Sequence, residues 1–526
     1  MLKKIIILII IGITYLLYAR FILTPHIYKN FSLIDDGQSI EYGHYFQKCI
    51  TGQGCNDFKI QVVNREGGRS RFGYWVIHGI LYGSRTLNPQ IQHEFRIYFI
   101  GTIIVFLLSG TLIMYGINPV IIFISTAIFY TNYSFSENLI RLGPIEPYQV
   151  IFLGIFSILW LSKKKIIQRY YTFYNLLLVV FLLFFLLLKE TSIALVPAIV
   201  VSLLLFKKKM DKKLLAVVAL VPIIVFIITK HVLTGGGIGG VYISEYSFNL
   251  STMTINGKEF VLLILNSTSP FIKMTIIILL IMFLVKKLRE FLFSADCIYW
   301  LLVFLSFTVV LFPWKYILDR YLLISIYSFS IFFALVMSKL LRFIYQYLGS
   351  KFLVVHFLFD PLLFLIMIFL FLRGGSLNLA KTINYRNWFS TFTQFEGDQI
   401  GAIAEYADLG TMYINAQEIT ENWEVVYEIP LHLKYFYNGK PKTERLTESI
   451  MPSRGFLFSR MSLKPVVDFE NLSKKIYPII SSKSYYVSQI DPIAFRQSFK
   501  YKPIATFKTP PILKDGFKYY WEIRKI

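Results

Sequence analysis

Apolar runs recur from Ile5 to Leu372, most of them closed by a short polar or basic cluster, and many are long enough to cross a bilayer. Their spacing predicts about eleven transmembrane helices, near 5–23, 95–115, 117–132, 147–161, 173–188, 191–206, 214–231, 261–285, 297–312, 321–338 and 352–372. Beyond Arg373 the pattern changes: apolar runs shorten and charged residues fall at regular intervals. Asp398–Asp408 and Glu421–Tyr437 have helical periodicity, whereas Arg454–Arg460, Ser484–Ser488 and Tyr519–Ile523 alternate as strands do. The expected fold class is an α-helical polytopic membrane protein with a small C-terminal α/β domain. The expected division is a transmembrane module over 1–372, with a first outer loop at 24–94, and a soluble domain over 373–526.

Composition agrees. Only 16% of the 526 residues are charged and mean hydropathy is +0.57, where a soluble chain carries nearer a quarter charged residues. The net charge of +23 would suit nucleic acid, but its distribution speaks for a membrane. The excess lies in clusters between apolar runs: Lys163-Lys164-Lys165 with Arg169, Lys207-Lys208-Lys209 with Lys212-Lys213, and Lys286-Lys287 with Arg289. Such clusters hold loops on the cytoplasmic side against anionic lipid. No basic stripe is interleaved with base-stacking aromatics, so nucleic acid is excluded as a partner and membrane lipid is expected. With the amino terminus inside, every cluster falls in the cytoplasm. The loop 24–94, the turn 132–146, Lys189-Glu190, the loop 234–260, the turn 313–320 and the segment after Arg373 then lie outside. The wealth of Ile, Lys, Phe and Tyr fits an AT-rich bacterial genome, hence a bacterial inner membrane.

The first run follows Lys3-Lys4 and has no small-residue cleavage site after it, so it reads as an uncleaved span, with Tyr15, Tyr18, Arg20 and Pro25 forming its aromatic and basic edge. Cys49 and Cys55 share the first outer loop; a disulfide and two free thiols are equally open readings.

Candidate chemistry collects at the outer boundary. Asp35-Asp36 follows the first span; Glu137, Arg141 and Glu146 share one turn; Lys189-Glu190 join two apolar runs; Asp319-Arg320 precede the tenth span. Charges at that depth are costly and tend to mark substrate paths. Adjacent carboxylates suit proton removal from an attacking hydroxyl, or ligation of a divalent cation (Mg or Mn), for which Asp35 and Asp36 are the candidate ligands. Gly37 would let backbone approach a bulky ligand. Arg141, Lys189 and Arg320 offer fixed positive charge for phosphate oxygens, whereas headgroup anchoring is the plainer reading of the two arginines and an internal ion pair that of Lys189-Glu190. Arg69 and Arg71 could grip a phosphate or cap a helix at 74–82, and His78 on that helix reads as packed. The glycine run 235–240 lacks the lysine of a phosphate loop and reads as a mobile outer loop.

The constellation resembles the GT-C glycosyltransferases, integral membrane enzymes that use polyprenyl-phosphate-linked sugars. The resemblance rests on Asp35-Asp36 in the first outer loop, on a multispan core with charged outer turns (Arg141-Leu-Gly-Pro-Ile-Glu-Pro147 and Lys189-Glu190), and on the carboxy-terminal segment 373–526. It implies that Asp35 or Asp36 is the general base or positions the acceptor, and that Arg141, Lys189 and Arg320, with Arg69 in addition, hold the lipid phosphate; Glu146 and Glu190 join the expected substrate-binding set. It also implies a polyprenyl-phosphate sugar donor, a glycan, lipid or protein acceptor, and inversion at the anomeric carbon. Protein O-mannosyltransferases and the lipid A aminoarabinose transferase are built on this plan; Asp-Asp in place of Asp-Glu departs from the eukaryotic O-mannosyltransferase pattern, and the lack of Trp-Trp-Asp in the soluble segment argues against an oligosaccharyltransferase. The alternatives are a surface-glycan polymerase or ligase, a lipid-linked glycan transporter or flippase, and a membrane scaffold. The first typically has its large loop mid-bundle; transporters tend to show repeats and broken helices, and no repeat is seen here.

Overall fold

The computed structural model describes residues 2–24, 30–32, 36–63, 71–83, 88–162, 171–205, 247–268, 270–286, 294–314, 316–348, 353–407, 412–415, 423–437, 443–445, 456–463, 503–508 and 518–525, with position 289 and single positions between 220 and 227. The glycine run 235–240, nearly all of the span expected at 214–231, and the strand expected at 484–488 lie outside them. The chain forms two compact units, one of residues 1–25, 48–77 and 93–384, the other of 26–47, 78–92 and 385–526. The helix Leu353–Ala407 has its residues up to Asn384 in the first unit and the rest in the second. It runs through Gly374-Gly375 without a break, past the end expected near 372.

The first unit is a helical bundle. Among the described residues, Lys4–Leu23, Pro89–Met114 and Asp319–Gln346 are long and apolar enough to cross a membrane, and Pro119–Tyr130, Glu146–Leu161, Thr172–Leu188, Glu190–Ser202 and Ala295–Val309 are shorter apolar helices. This is an integral membrane protein. The first helix shows why: Ile7, Ile11, Tyr15, Tyr18 and Ala19 form a buried stripe at helical spacing, while Ile6, Ile9, Ile13, Leu17 and Phe21 are exposed. An apolar face that open has no place in water.

Tyr15 and Tyr18 do not form the expected aromatic edge. They turn inward, where the Tyr15 hydroxyl donates to the Ile97 carbonyl (2.5 Å) and the Tyr18 hydroxyl meets Ser136 Oγ (2.8 Å). The helix Leu323–Leu348 is central. Its Ser325, Ser328 and Ser330 are buried, and the small side chains let neighbours approach while their hydroxyls are satisfied locally, Ser328 by Ile324 O (2.8 Å) and Ser330 by Ile326 O (2.9 Å).

The span expected at 261–285 is instead two helices, Leu250–Thr268 and Phe271–Leu284, bent by 97°. Pro270 stands at the head of the second helix, and proline cannot supply the N–H that a continuous helix needs there.

The second unit combines the described parts of its helices, Asp36–Gln47, Tyr385–Ala407 and Trp423–Phe436, with a five-stranded sheet. Its strands are β1 (Met412–Asn415), β2 (Thr443–Arg445), β3 (Phe456–Leu463), β4 (Pro503–Lys508) and β5 (Lys518–Lys525), in the order β2-β1-β3-β5-β4. β1 is parallel to β2 and β3, while β5 is antiparallel to β3 and β4. His78 is packed as expected, 1% exposed and stacked on Tyr82 at 5.3 Å.

Candidate functional site

In the first unit, three turns that are distant in sequence come together. Asn132 caps the short helix Tyr133–Ile140 by accepting the Ser134 N–H at 2.9 Å, and all eight residues of that helix are buried. Arg141 follows in extended conformation and Glu146 opens the next helix, where the positive end of the helix dipole favours a carboxylate. Glu146 is 4% exposed, and Lys189 Nζ sits 2.5 Å from its Oε1. Glu190 turns the other way and takes a forked pair from Arg71, Nε to Oε1 at 3.0 Å and Nη2 to Oε2 at 3.1 Å. Lys189 and Glu190 are therefore not stapled to each other; each pairs with a residue outside the turn, Lys189 with Glu146 and Glu190 with Arg71.

The third turn is Asp319–Leu322. The Arg320 carbonyl accepts from Asn138 Nδ2 (2.8 Å), which ties this turn to the helix Tyr133–Ile140. Arg320 and Lys189 flank one aromatic ring, that of Tyr321, at 5.2 and 4.5 Å from its centroid. Asp319 pairs with Lys381 at 2.7 Å, and Lys381 lies 4.2 Å from the Tyr133 ring.

Arg320 acts on the charge of both Glu137 and Glu146. Glu137 is 5% exposed, and burial pushes its carboxyl above the usual range against the pull of Arg320 and Arg141. The group thus holds four cations (Arg141, Lys189, Arg320, Lys381) and three acids (Glu137, Glu146, Asp319), one of them biased toward its neutral form. Such a cluster has capacity for an added anion.

In the second unit, Asp36 begins the helix Asp36–Ile50 and is 3% exposed. Its Oδ2 accepts the Ser32 N–H (2.8 Å), and Ser32 Oγ donates to Glu396 Oε2 (3.4 Å). The helix is capped from 391 residues away: Glu428 Oε2 accepts the Gly37 N–H at 2.6 Å, and Oε1 the Gln38 N–H at 3.0 Å. Gly37 therefore serves the close approach of this carboxylate. A Cβ there would stand 2.3 Å from Glu428 Oε2 and 3.0 Å from His432 Cδ2. His432 is 3% exposed, and burial pulls its pKa down to about 4. It is neutral at pH 7, and its 3.6 Å contact with Glu428 is not an ion pair.

Of the residues singled out from sequence, Asp35 and Arg69 lie outside the described residues. Arg141, Glu146, Lys189 and Arg320 fall in the first unit's cluster, Glu190 in the adjoining bridge to Arg71, and Asp36 in the second unit. Sequence reading missed Lys381, Tyr321, Glu396, Glu428 and His432. Among the described residues, no three His, Cys, Asp or Glu side chains are grouped to hold a metal ion. Cys49 and Cys55 are joined in a disulfide, which closes the open choice between a bridge and two free thiols.

No family model matches the chain, and no curated protein matches it. Among solved structures it is similar to ArnT from Cupriavidus metallidurans, a structure bound to undecaprenyl phosphate, with a TM-score of 0.51 at 10% identity, over 98% of this chain and 97% of that one. At that identity the likeness speaks for architecture. The chain has an ArnT-like fold over nearly its whole length, and the GT-C resemblance read from its sequence holds at the level of the fold.

Proposed function

We propose that the protein is a membrane glycosyltransferase of the GT-C type, moving a sugar from a polyprenyl-phosphate donor to an acceptor hydroxyl. The observation that carries this reading is the grouping of Arg141, Lys189, Arg320 and Lys381 about buried acids in the first unit. A lipid phosphate gains negative charge as the sugar leaves, and cations already fixed in place stabilise that charge with little reorganisation. The undecaprenyl phosphate held by the ArnT neighbour supports a donor of this kind.

In the proposed reaction the acceptor oxygen attacks the anomeric carbon, the bond from that carbon to the phosphate oxygen breaks, and prenyl phosphate departs with the electron pair. The acceptor proton passes to a carboxylate, assigned to Asp36 or its neighbour Asp35. A single displacement inverts the anomeric centre. The proposed arrangement is a multispan bundle in a bacterial inner membrane, with an amino terminus in the cytoplasm and an acceptor approaching from outside. A donor with its tail in lipid and its phosphate at the surface then never has to cross.

The test is incubation of the purified protein in proteoliposomes with a panel of prenyl-phosphate sugars, following release of prenyl phosphate. Release by the wild type and none by Asp35→Asn or Asp36→Asn, with membrane insertion intact, is the expected result. Full activity in the double variant overturns the assigned base. No release with any donor overturns the reading.

A further inference from the structure

We propose that Arg96 is a positioning residue of the donor-phosphate site, holding the connecting segment that carries Arg141 and Glu146. The inference rests on the glycosyltransferase reading only for what that segment binds. Arg96 is 2% exposed and belongs to a π-helical turn, Phe95–Ile100, within the second span; π turns recur at functional sites.

The three nitrogens of its guanidinium serve three backbone carbonyls. Nε donates to Asn138 O at 3.0 Å, Nη1 to Leu142 O at 2.7 Å, and Nη2 to Pro144 O. The Tyr148 ring lies 5.5 Å from the guanidinium carbon. The Asn138 carbonyl is in the last turn of the helix Tyr133–Ile140, where helix carbonyls lose their own partners and the dipole presents its negative end. Leu142 and Pro144 stand between two helices, where no ladder supplies donors. One side chain therefore fixes the segment at one point before Arg141 and at two points between Arg141 and Glu146.

Burying a full positive charge is costly. A planar fork with five donors can direct separate N–H groups at carbonyls that face different ways, whereas a lysine ammonium is a compact point charge on a flexible stem. Arg96→Lys thus keeps the charge and removes the fixation.

Two measurements on the full-length protein test this. In proteoliposomes, Arg96→Lys is expected to raise the donor KM on the order of ten- to hundredfold, the effect of a displacement near 1 Å at a binding centre, with kcat within a few-fold of wild type. By thermal denaturation in detergent, the coupling between Glu146 and Lys189, read from single and double substitutions, is expected to fall when Arg96 is lysine. A residue that merely stabilises the bundle would lower the melting temperature and leave both readouts unchanged, and that result overturns the proposal. A wild type inactive on every prenyl-phosphate sugar overturns the proposed function; loss of the coupling in Arg96→Lys would still support the positioning role.

Discussion

The Lys189–Glu146 pair allows a structural staple to be separated from a binding group. Lys189→Met keeps the stem's volume and removes the ammonium that stands 2.5 Å from Glu146. Removing one partner of a buried pair costs about 3–5 kcal/mol, because the other charge is left without compensation. Two features lower that figure: the Lys189 side chain is 16% exposed, and Arg320 also faces Glu146. A loss of about 2–3 kcal/mol is therefore expected. The double substitution Lys189→Met with Glu146→Gln leaves no orphan charge and should come within about 1 kcal/mol of wild type. Thermal denaturation of the four detergent-purified proteins reads the resulting coupling, about 2 kcal/mol. Activity in proteoliposomes then decides the role. If Lys189 holds donor phosphate, the double variant recovers stability but keeps a raised donor KM, by about 10- to 150-fold for a lost charged hydrogen bond of about 1.5–3 kcal/mol. Recovery of both stability and donor use would make Lys189 a staple and refute its place in the phosphate site. Strictly additive stability losses would refute the pairing itself.

Gly37→Ala should weaken the cap on the Asp36 helix, since its Cβ would press on Glu428 Oε2; a loss of about 2–5 kcal/mol is expected from two charged hydrogen bonds less the helix preference of alanine. Limited proteolysis of the second unit measures this, and unchanged resistance would count against the cap. Because the His432 pKa is lowered from 6.5 to about 4, its contribution to stability is full above pH 6.5 and is lost as pH falls toward 4. His432→Leu should therefore flatten the acid limb of the stability profile, and an unaltered limb would remove His432 as its source. Under denaturing, non-reducing conditions a thiol reagent should label Cys297 alone, and all three cysteines after reduction; three labels before reduction would contradict the disulfide.

Legibility in the sequence followed the range of the interactions. Apolar runs bounded by charge were visible because lipid imposes the same requirement at every position, so most of the expected spans coincide with helices. The charged turns stood out for the same reason. What the turns do with their charges did not, since Lys189 and Glu190 look like partners in the chain and are divided in the fold between Glu146 and Arg71. Glu428 was invisible as the cap of a helix 391 residues earlier. Arg96 left no mark either: its partners are carbonyls, which every residue type carries. The bend after Thr268 did carry a signal, Pro270, but the apolar residues on either side of it gave one continuous run.

The Ser267 carbonyl, just before that bend, accepts from two amides, Asn132 Nδ2 at 3.2 Å and Asn378 Nδ2 at 2.7 Å. One donor is made long before Ser267 and the other 111 residues after it. During synthesis the kinked pair must therefore wait, half satisfied, until the helix that bears Asn378 has emerged. Insertion of this protein is thus not a simple procession of independent spans, and the kinked pair should gain its full protection from hydrogen exchange only once the helix bearing Asn378 is in place.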